Sequence, residues 1–160
     1  MSFLKNKKKK NYFELITLFF LIVFIIFGVK YFIRWRKINQ ALKIRTTMKI
    51  GKAKYFIFIA KTTEQKKRGL MFVKKLPANY GMLFVFKKKV DYPFWMKNTL
   101  IPLTALFINK GTVINQVDMK PCKVKNCTRY FPFVYYKYAL EINKTNKKFI
   151  GKKVKIGDLL

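Results

Sequence analysis

The chain has 160 residues, which is enough for one domain of ordinary size and an extension. Its net charge of +30 comes almost entirely from Lys. Such an excess favours attraction to a polyanion, namely anionic lipid, nucleic acid or a cell-envelope polymer, although a general bias toward Lys is the alternative. The scarcity of Arg argues against dedicated base reading. With no His in the chain, a Ser–His or Cys–His catalytic pair is excluded.

An apolar segment follows the N-terminal lysines. Residues 13–33 consist mostly of Leu, Ile, Val and Phe, and they match the roughly 20 residues that cross a bilayer core. The apolar residues lie on all sides, unlike those of an amphipathic surface helix. No small-x-small cleavage pattern follows. The sequence predicts an uncleaved, single-pass transmembrane anchor, with a cleaved signal peptide and a buried core helix as alternatives.

The charges around this segment bear on its orientation. A basic tail, residues 1–12, favours a cytoplasmic N-terminus, whereas a basic tether, residues 34–47, pulls the opposite way. A domain after a first, signal-like segment is usually translocated. We therefore expect the C-terminal domain on the outer side of the cytoplasmic membrane, with the tether near anionic lipid headgroups.

The remaining residues, 48–160, are expected to form one folded domain. Thr62 and Gln65 predict a capping box at the start of a short helix, which Gly69 ends. β-branched and aromatic residues predict strands at the following positions: 55–60, 82–86, 104–108, 112–119, 135–142 and a short one near 155–158. Short turns and no helical crossover predict a mainly β (α+β) fold, an antiparallel sandwich or partly closed barrel with one short helix.

Six motifs occur along this domain in a characteristic order. They are Arg68-Gly69-Leu70-Met71-Phe72, the segments 81–86 and 94–103, Pro121-Cys122, Tyr138-Ala139-Leu140-Glu141, and Gly157-Asp158. In these motifs the chain resembles the DUF192 family, also called UPF0127. The resemblance implies a compact β-rich domain, often made with an export signal or membrane anchor. It implies no established activity, cofactor or substrate.

The chain departs from the family pattern at two places. Thr104 stands where the family commonly has Asp, and Asn143-Lys144-Thr145 stands where it often has Pro-Ala-Gly. If the family site used that Asp as a charged or metal-binding group, the remaining polar residues would form a neutral or cationic pocket.

The sequence suggests a non-enzymatic binding cleft for a ligand or partner. Trp95 supplies a flat contact surface, Asn98 supplies donor and acceptor groups, and Arg68 supplies a fixed charge. The candidate lining residues are Arg68, Met71, Trp95, Met96, Asn98 and Glu141. The alternative is that all of them are determinants of the fold.

Other functions are weaker alternatives. Glu141 and Asp158 are an acid/base pair only if the fold brings them together, as a hydrolase-like enzyme would require. A basic β-barrel that binds single-stranded nucleic acid is a further alternative. No catalytic residue, cofactor or metal site is predicted. Cys122 and Cys127 lack a second ligand pair for zinc, and they predict a disulfide if the domain is exported.

Overall fold

The structure is a computed structural model that describes residues 12, 15–30, 44–124 and 126–157. The chain divides into two units, Met1–Gln40 and Ala41–Leu160, and each is considered by itself. In the first unit, residues 15–30 form helix α1, whose large apolar side chains are almost all exposed within the unit. Within the described ranges, no helix has both the length and the hydropathy of a membrane span. Residues 13, 14 and 31–33 of the predicted anchor, and most of the tail and tether, lie outside these ranges.

The second unit is mainly β, as predicted. Its strands and helix run in the order β1 Ile44–Ile50, β2 Ala53–Ala60, α2 Thr63–Arg68, β3 Tyr80–Val90, β4 Phe94–Trp95, β5 Leu103–Asn109, β6 Thr112–Met119, β7 Arg129–Tyr130, β8 Tyr136–Asn143 and β9 Val154–Ile156. Strand β1 begins four residues before Met48, where the sequence placed the start of the domain.

Seven strands form one curled sheet in the order β6-β5-β8-β3-β2-β1-β9, and β4 pairs with β7 in a small second sheet. The two edges of the large sheet meet beside the β5–β6 turn. There the Val113 N–H donates to Lys152 O at 3.0 Å, and the Val154 N–H donates to Gly111 O at 2.9 Å. The fold is therefore a curled half-barrel, in agreement with the predicted partly closed barrel.

One connection differs from the prediction. β2 and β3 are parallel, with Phe56 opposite Tyr80, and helix α2 lies in the crossover between them. The expectation of a sheet without helical crossovers was wrong. Parallel neighbours need a connection of about a dozen residues or more. Here the connection includes a helix of only six residues with no buried side chain, which is why its crossover role is not visible in the sequence.

The sheet has a hydrophobic core on each face. One core, which includes Phe84, Phe107 and Tyr136, lies beneath the segment that carries β4. The other, which includes Leu83 and Leu140, contains residues from both edges of the sheet and so lies inside the curl. Central strand β8 is covered on both faces, so residues 139–142 are all buried. The alternation of residues 135–142 predicts a half-buried strand, and the burial of residues 139–142 shows that this prediction was wrong.

Candidate functional site

A cavity of about 950 Å³ lies between helix α2, strand β3 and the segment that carries β4. Its walls are largely apolar and aromatic, and its rim is basic. The apolar lining comprises Leu70, Met71, Phe84, Phe86, Val90, Tyr92, Pro93, Phe94, Trp95 and Tyr136. The charged lining comprises Lys61, Glu64, Lys66, Lys67, Arg68, Lys87, Lys88, Lys97 and Glu141.

Aromatic rings pack edge to face in the walls. The centroids of Phe84 and Phe94 are 5.0 Å apart, and those of Phe86 and Tyr136 are 5.4 Å apart. The Tyr136 hydroxyl donates to Tyr92 O at 2.8 Å. Burial raises the pKa of that hydroxyl, and the nearby Asp91 and Tyr92 raise it further. The hydroxyl therefore stays a neutral hydrogen-bond donor. Interlocked rings of this kind hold the walls in a fixed shape.

Glu141 on strand β8 lies at the bottom of the cavity with only 4% of its surface exposed. Burial raises the pKa of its carboxyl from the ordinary value of 4.5 to about 8. No neighbouring charge or hydrogen bond among the described residues offsets that burial. At neutral pH the group is therefore mostly protonated, and its O–H can donate a hydrogen bond to a molecule in the cavity.

Gly69 leaves the space above this carboxyl open. It ends helix α2 with φ 48°, a left-handed conformation in which a side chain is strained. A Cβ built on it would lie 3.3 Å from the Phe84 ring and 3.7 Å from Glu141 Oε2. The glycine therefore adopts the backbone conformation that the turn requires, and it leaves Glu141 accessible from the cavity.

The basic rim is built from helix α2, strand β3 and the loop after β4. Lys66 Nζ donates to Lys61 O at 2.7 Å and to Val85 O at 3.2 Å, and it lies 5.1 Å from the Phe86 ring centroid. Lys97 Nζ lies 5.5 Å from the Trp95 ring centroid. Seven of the nine charged side chains that line the cavity, as the structure describes it, are cationic, so the rim attracts anions.

The structure brings together four of the six residues expected in the cleft: Arg68, Met71, Trp95 and Glu141. The other two do not line the cavity. Met96, directly after β4, is buried in the core like Phe94, whereas Trp95 between them is exposed. Asn98 adopts φ 56° in a turn, and its carbonyl accepts the Phe72 N–H at 2.9 Å. The turn requires a residue that tolerates a positive φ, which explains Asn there.

The sequence did not point to the residues that strand β3 and Tyr136 contribute. In the sequence, Lys87 and Lys88 indicate only a solvated loop or strand end, yet both lie on the rim. The pairing of β3 with β8 places Val90 opposite Tyr136 and brings both into the lining. Because that pairing joins residues far apart in sequence, no local pattern indicated it. The nearest signal was the run of three lysines directly after an apolar strand.

Cys122 and Cys127 form a disulfide, with their Cα atoms 5.9 Å apart. The Cys122 N–H donates to Thr99 O at 3.3 Å, so the disulfide-closed loop is attached to the segment that forms one cavity wall. This arrangement makes the disulfide part of the support for the cavity.

The two departures from the family pattern contact each other. Thr104 is fully buried, and its Oγ1 donates to Asp118 Oδ1 at 2.7 Å and accepts the Thr145 N–H at 3.1 Å. None of these three residues lines the cavity. The departures therefore leave its charge unchanged, and the cationic character of the rim comes from other residues.

The described part of the chain shows neither the Glu141–Asp158 pair nor a metal site. Asp158, the proposed partner of Glu141 in an acid/base pair, lies outside it. No group of three or more His, Cys, Asp or Glu residues in that part could hold a metal ion.

Two solved structures share the fold. A protein of unknown function from Novosphingobium aromaticivorans DSM 12444 matches with a TM-score of 0.60 and 26% identity, over 68% of this chain and 83% of that one. A candidate transcription regulator from Sinorhizobium meliloti 1021 matches with a TM-score of 0.59 and 23% identity, over 69% of this chain and 92% of that one.

No curated protein matches the sequence at a significant level. The DUF192 family, described as an uncharacterized ACR, matches residues 45–160. That range is most of the chain and contains every residue that lines the cavity. The chain therefore belongs to the DUF192 family.

Proposed function

We propose that the domain is a non-enzymatic binding module, and that its cavity takes up a molecule with an apolar or aromatic body and an anionic group. The observation that carries the proposal is the combination of interlocked aromatic walls with a cationic rim. Burial of the apolar body against the rings favours binding, and contact of the anionic group with lysines at the entrance favours it further. The neutral carboxyl of Glu141 gives the buried end one hydrogen-bond donor.

The chemistry of the lining argues for binding rather than catalysis. The described lining has two carboxyl groups, Glu64 on the exposed rim and Glu141 at the bottom. A catalytic acid or base needs a partner that orients it within hydrogen-bond reach. Among the described residues Glu141 has no such partner, and the chain has no His to act in its place.

Calorimetric titration with phenylphosphate tests the proposal on the full chain in lipid nanodiscs. Phenylphosphate has both the ring and the anion, whereas inorganic phosphate and benzyl alcohol have one each. We expect phenylphosphate to bind at least about tenfold more tightly than either fragment, because the two contacts combine in one cavity.

A pair of matched variants locates the site. Lys87→Gln with Lys88→Gln removes two charges from the rim, and Lys49→Gln with Lys155→Gln removes two from neighbouring strands away from the cavity. The first pair should weaken phenylphosphate binding and the second should leave it nearly unchanged. Equal weakening by both pairs would mean non-specific attraction by the net charge, and would refute the proposed site.

We also propose that residues 13–33 anchor the chain in the cytoplasmic membrane, with the binding domain on the outer side. The apolar composition of the segment and the exposure of the α1 side chains within their own unit support this. Extraction of cell membranes with alkaline carbonate is the test. An anchored chain stays in the pellet, whereas a chain released into the supernatant is not anchored.

A further inference from the structure

Three segments of the domain form what we call the aromatic layer: residues 69–73, 92–99 and the described part of 121–135, which is 121–124 and 126–135. They are joined by backbone contacts, including the Phe72 N–H to Asn98 O at 2.9 Å and the pairing of Trp95 with Arg129 in the β4–β7 sheet. Phe94 attaches the layer to the large sheet, with its ring centroid 5.0 Å from that of Phe84. The layer is therefore a built surface on one face of the sheet.

This layer holds almost all of the exposed large apolar side chains of the domain. Of the eight such residues in the described part of 44–157, seven lie in the aromatic layer and only Ile150 lies elsewhere. Single exposed apolar residues are normal on a protein surface, but a concentration on one surface marks an interaction site. Phe133 is the extreme case, with 90% of its surface exposed.

Two of these exposed side chains are held in an unfavourable backbone conformation. Phe72 has φ 64° and Phe133 has φ 52°, in the left-handed region that bulky residues rarely adopt. Asn115 Nδ2 donates to Pro132 O at 2.6 Å and so fixes the loop that presents Phe133. Neither burial nor local preference accounts for these two phenylalanines, since both point toward solvent at a conformational cost.

The charges of the layer all have one sign. Its three segments contain no Asp or Glu, whereas Lys97, Lys123 and Arg129 stand among the aromatic residues. Trp and Tyr prefer the headgroup level of a bilayer, Phe inserts at the boundary between headgroups and acyl chains, and cations are attracted to anionic lipid headgroups. A second copy of the chain is a poor occupant, because each copy has a net charge of +30 and the two layers would repel.

We propose that the aromatic layer docks on an anionic bilayer surface. Phe131 and Phe133, whose ring centroids are 6.1 Å apart, enter the headgroup region together, while Lys97, Lys123 and Arg129 contact lipid phosphates. Trp95 then lies at the membrane boundary. This docking is distinct from the proposed membrane anchor. It shares Trp95 and Lys97 with the lining of the cavity, whereas Phe131, Phe133, Lys123 and Arg129 lie outside that lining.

The chain provides its own reporter for the test. It has two Trp residues, so a Trp35→Phe variant of the full chain leaves Trp95 as the only indole. The variant is reconstituted in phosphatidylcholine vesicles with or without phosphatidylglycerol, with bromine on the acyl chains. We expect Trp95 emission to shift to shorter wavelength and to be quenched when phosphatidylglycerol is present, and high salt to reverse both changes.

Matched substitutions in that background identify the surface responsible. Phe131→Ser with Phe133→Ser should abolish most of the quenching, whereas Ile150→Ser, at the exposed apolar residue outside the layer, should retain it. Should the double variant misfold, Lys123→Gln with Arg129→Gln provides the same test through the charges. Quenching that does not depend on phosphatidylglycerol, or that survives all substitutions in the layer, overturns the proposal. A spectral shift that depends on protein concentration without anionic lipid overturns it in favour of self-association.

Discussion

Glu141 is a residue whose ionisation is strongly affected by its position. It stands on a strand that is covered on both faces, and burial raises the pKa of its carboxyl to about 8. The unfolded chain gives up this proton near pH 4.5, whereas the folded chain keeps it until about pH 8. The contribution of Glu141 to stability is therefore largest below pH 4.5 and falls as the pH rises between these values.

Glu141→Gln should remove the decrease in stability that Glu141 causes as the pH rises. We expect the variant to gain stability relative to the original chain between pH 5 and pH 8, on the order of 3 kcal/mol by pH 7, with little difference near pH 4. Urea unfolding of both proteins across this pH range gives the free energies. The comparison cancels the pH dependence of the other groups. Parallel profiles for the two proteins would show that Glu141 ionises normally.

Thr104 offers a second prediction at a single residue. Replacing it with Val keeps the shape but removes the hydroxyl that bonds Asp118 and Thr145 inside the domain. We expect a loss of about 1 kcal/mol in the free energy of unfolding, because the partly buried backbone N–H of Thr145 loses its acceptor. Phenylphosphate affinity in the cavity should stay unchanged, and a large fall in affinity would contradict the separation of the two sites.

Single residues differed in how well the sequence predicted their positions. Arg68, Trp95 and Glu141 do lie around one cavity, because helix α2, the segment that carries β4 and strand β8 all contribute to its lining. Met96 and Asn98, which are close to Trp95 in the sequence, do not line that cavity. Met96 is buried in the core, and the turn uses Asn98 for its backbone.

At the scale of elements, the start of helix α2 was the most predictable feature. The Gln65 N–H donates to Thr62 Oγ1 at 3.2 Å, and the Thr62 N–H donates to Gln65 Oε1 at 3.0 Å, as the capping box predicts. The pattern is local, so a few residues determine it. The parallel crossover from β2 to β3 was not predictable, because alternation within a strand is the same for parallel and antiparallel neighbours.

The capping box supports a prediction about the cavity as well as the helix. Thr62→Ala should cost about 1 kcal/mol of stability, since the Gln65 N–H loses its acceptor. Faster amide exchange in residues 63–68 should accompany it, together with weaker phenylphosphate binding, because α2 supplies part of the basic rim. Thr63→Ala makes the same chemical change one residue later, and it should have a smaller effect on both measurements. Equal effects would argue against the cap.

At the scale of the whole molecule, the disulfide links redox state to location. Cys122 and Cys127 are bonded, and disulfides persist in oxidising compartments outside the cytoplasm. If the domain lies outside the membrane, as we propose, a membrane-impermeant maleimide should label it on intact cells only after treatment with an impermeant reductant. Labelling only after cell lysis would place the domain inside. A double Cys→Ser variant is the control for labelling specificity.

The meeting of the two sheet edges has a consequence for solubility. Exposed strand edges present unpaired N–H and C=O groups that recruit other chains and lead to aggregation. Here the three residues of β9 cover the free edge of β1, and their neighbours bond to the start of β6 on the opposite edge. Removing the residues from Gly151 onward would uncover both edges at once. Strand β9 thus protects a chain that is rich in apolar strands against edge-to-edge aggregation.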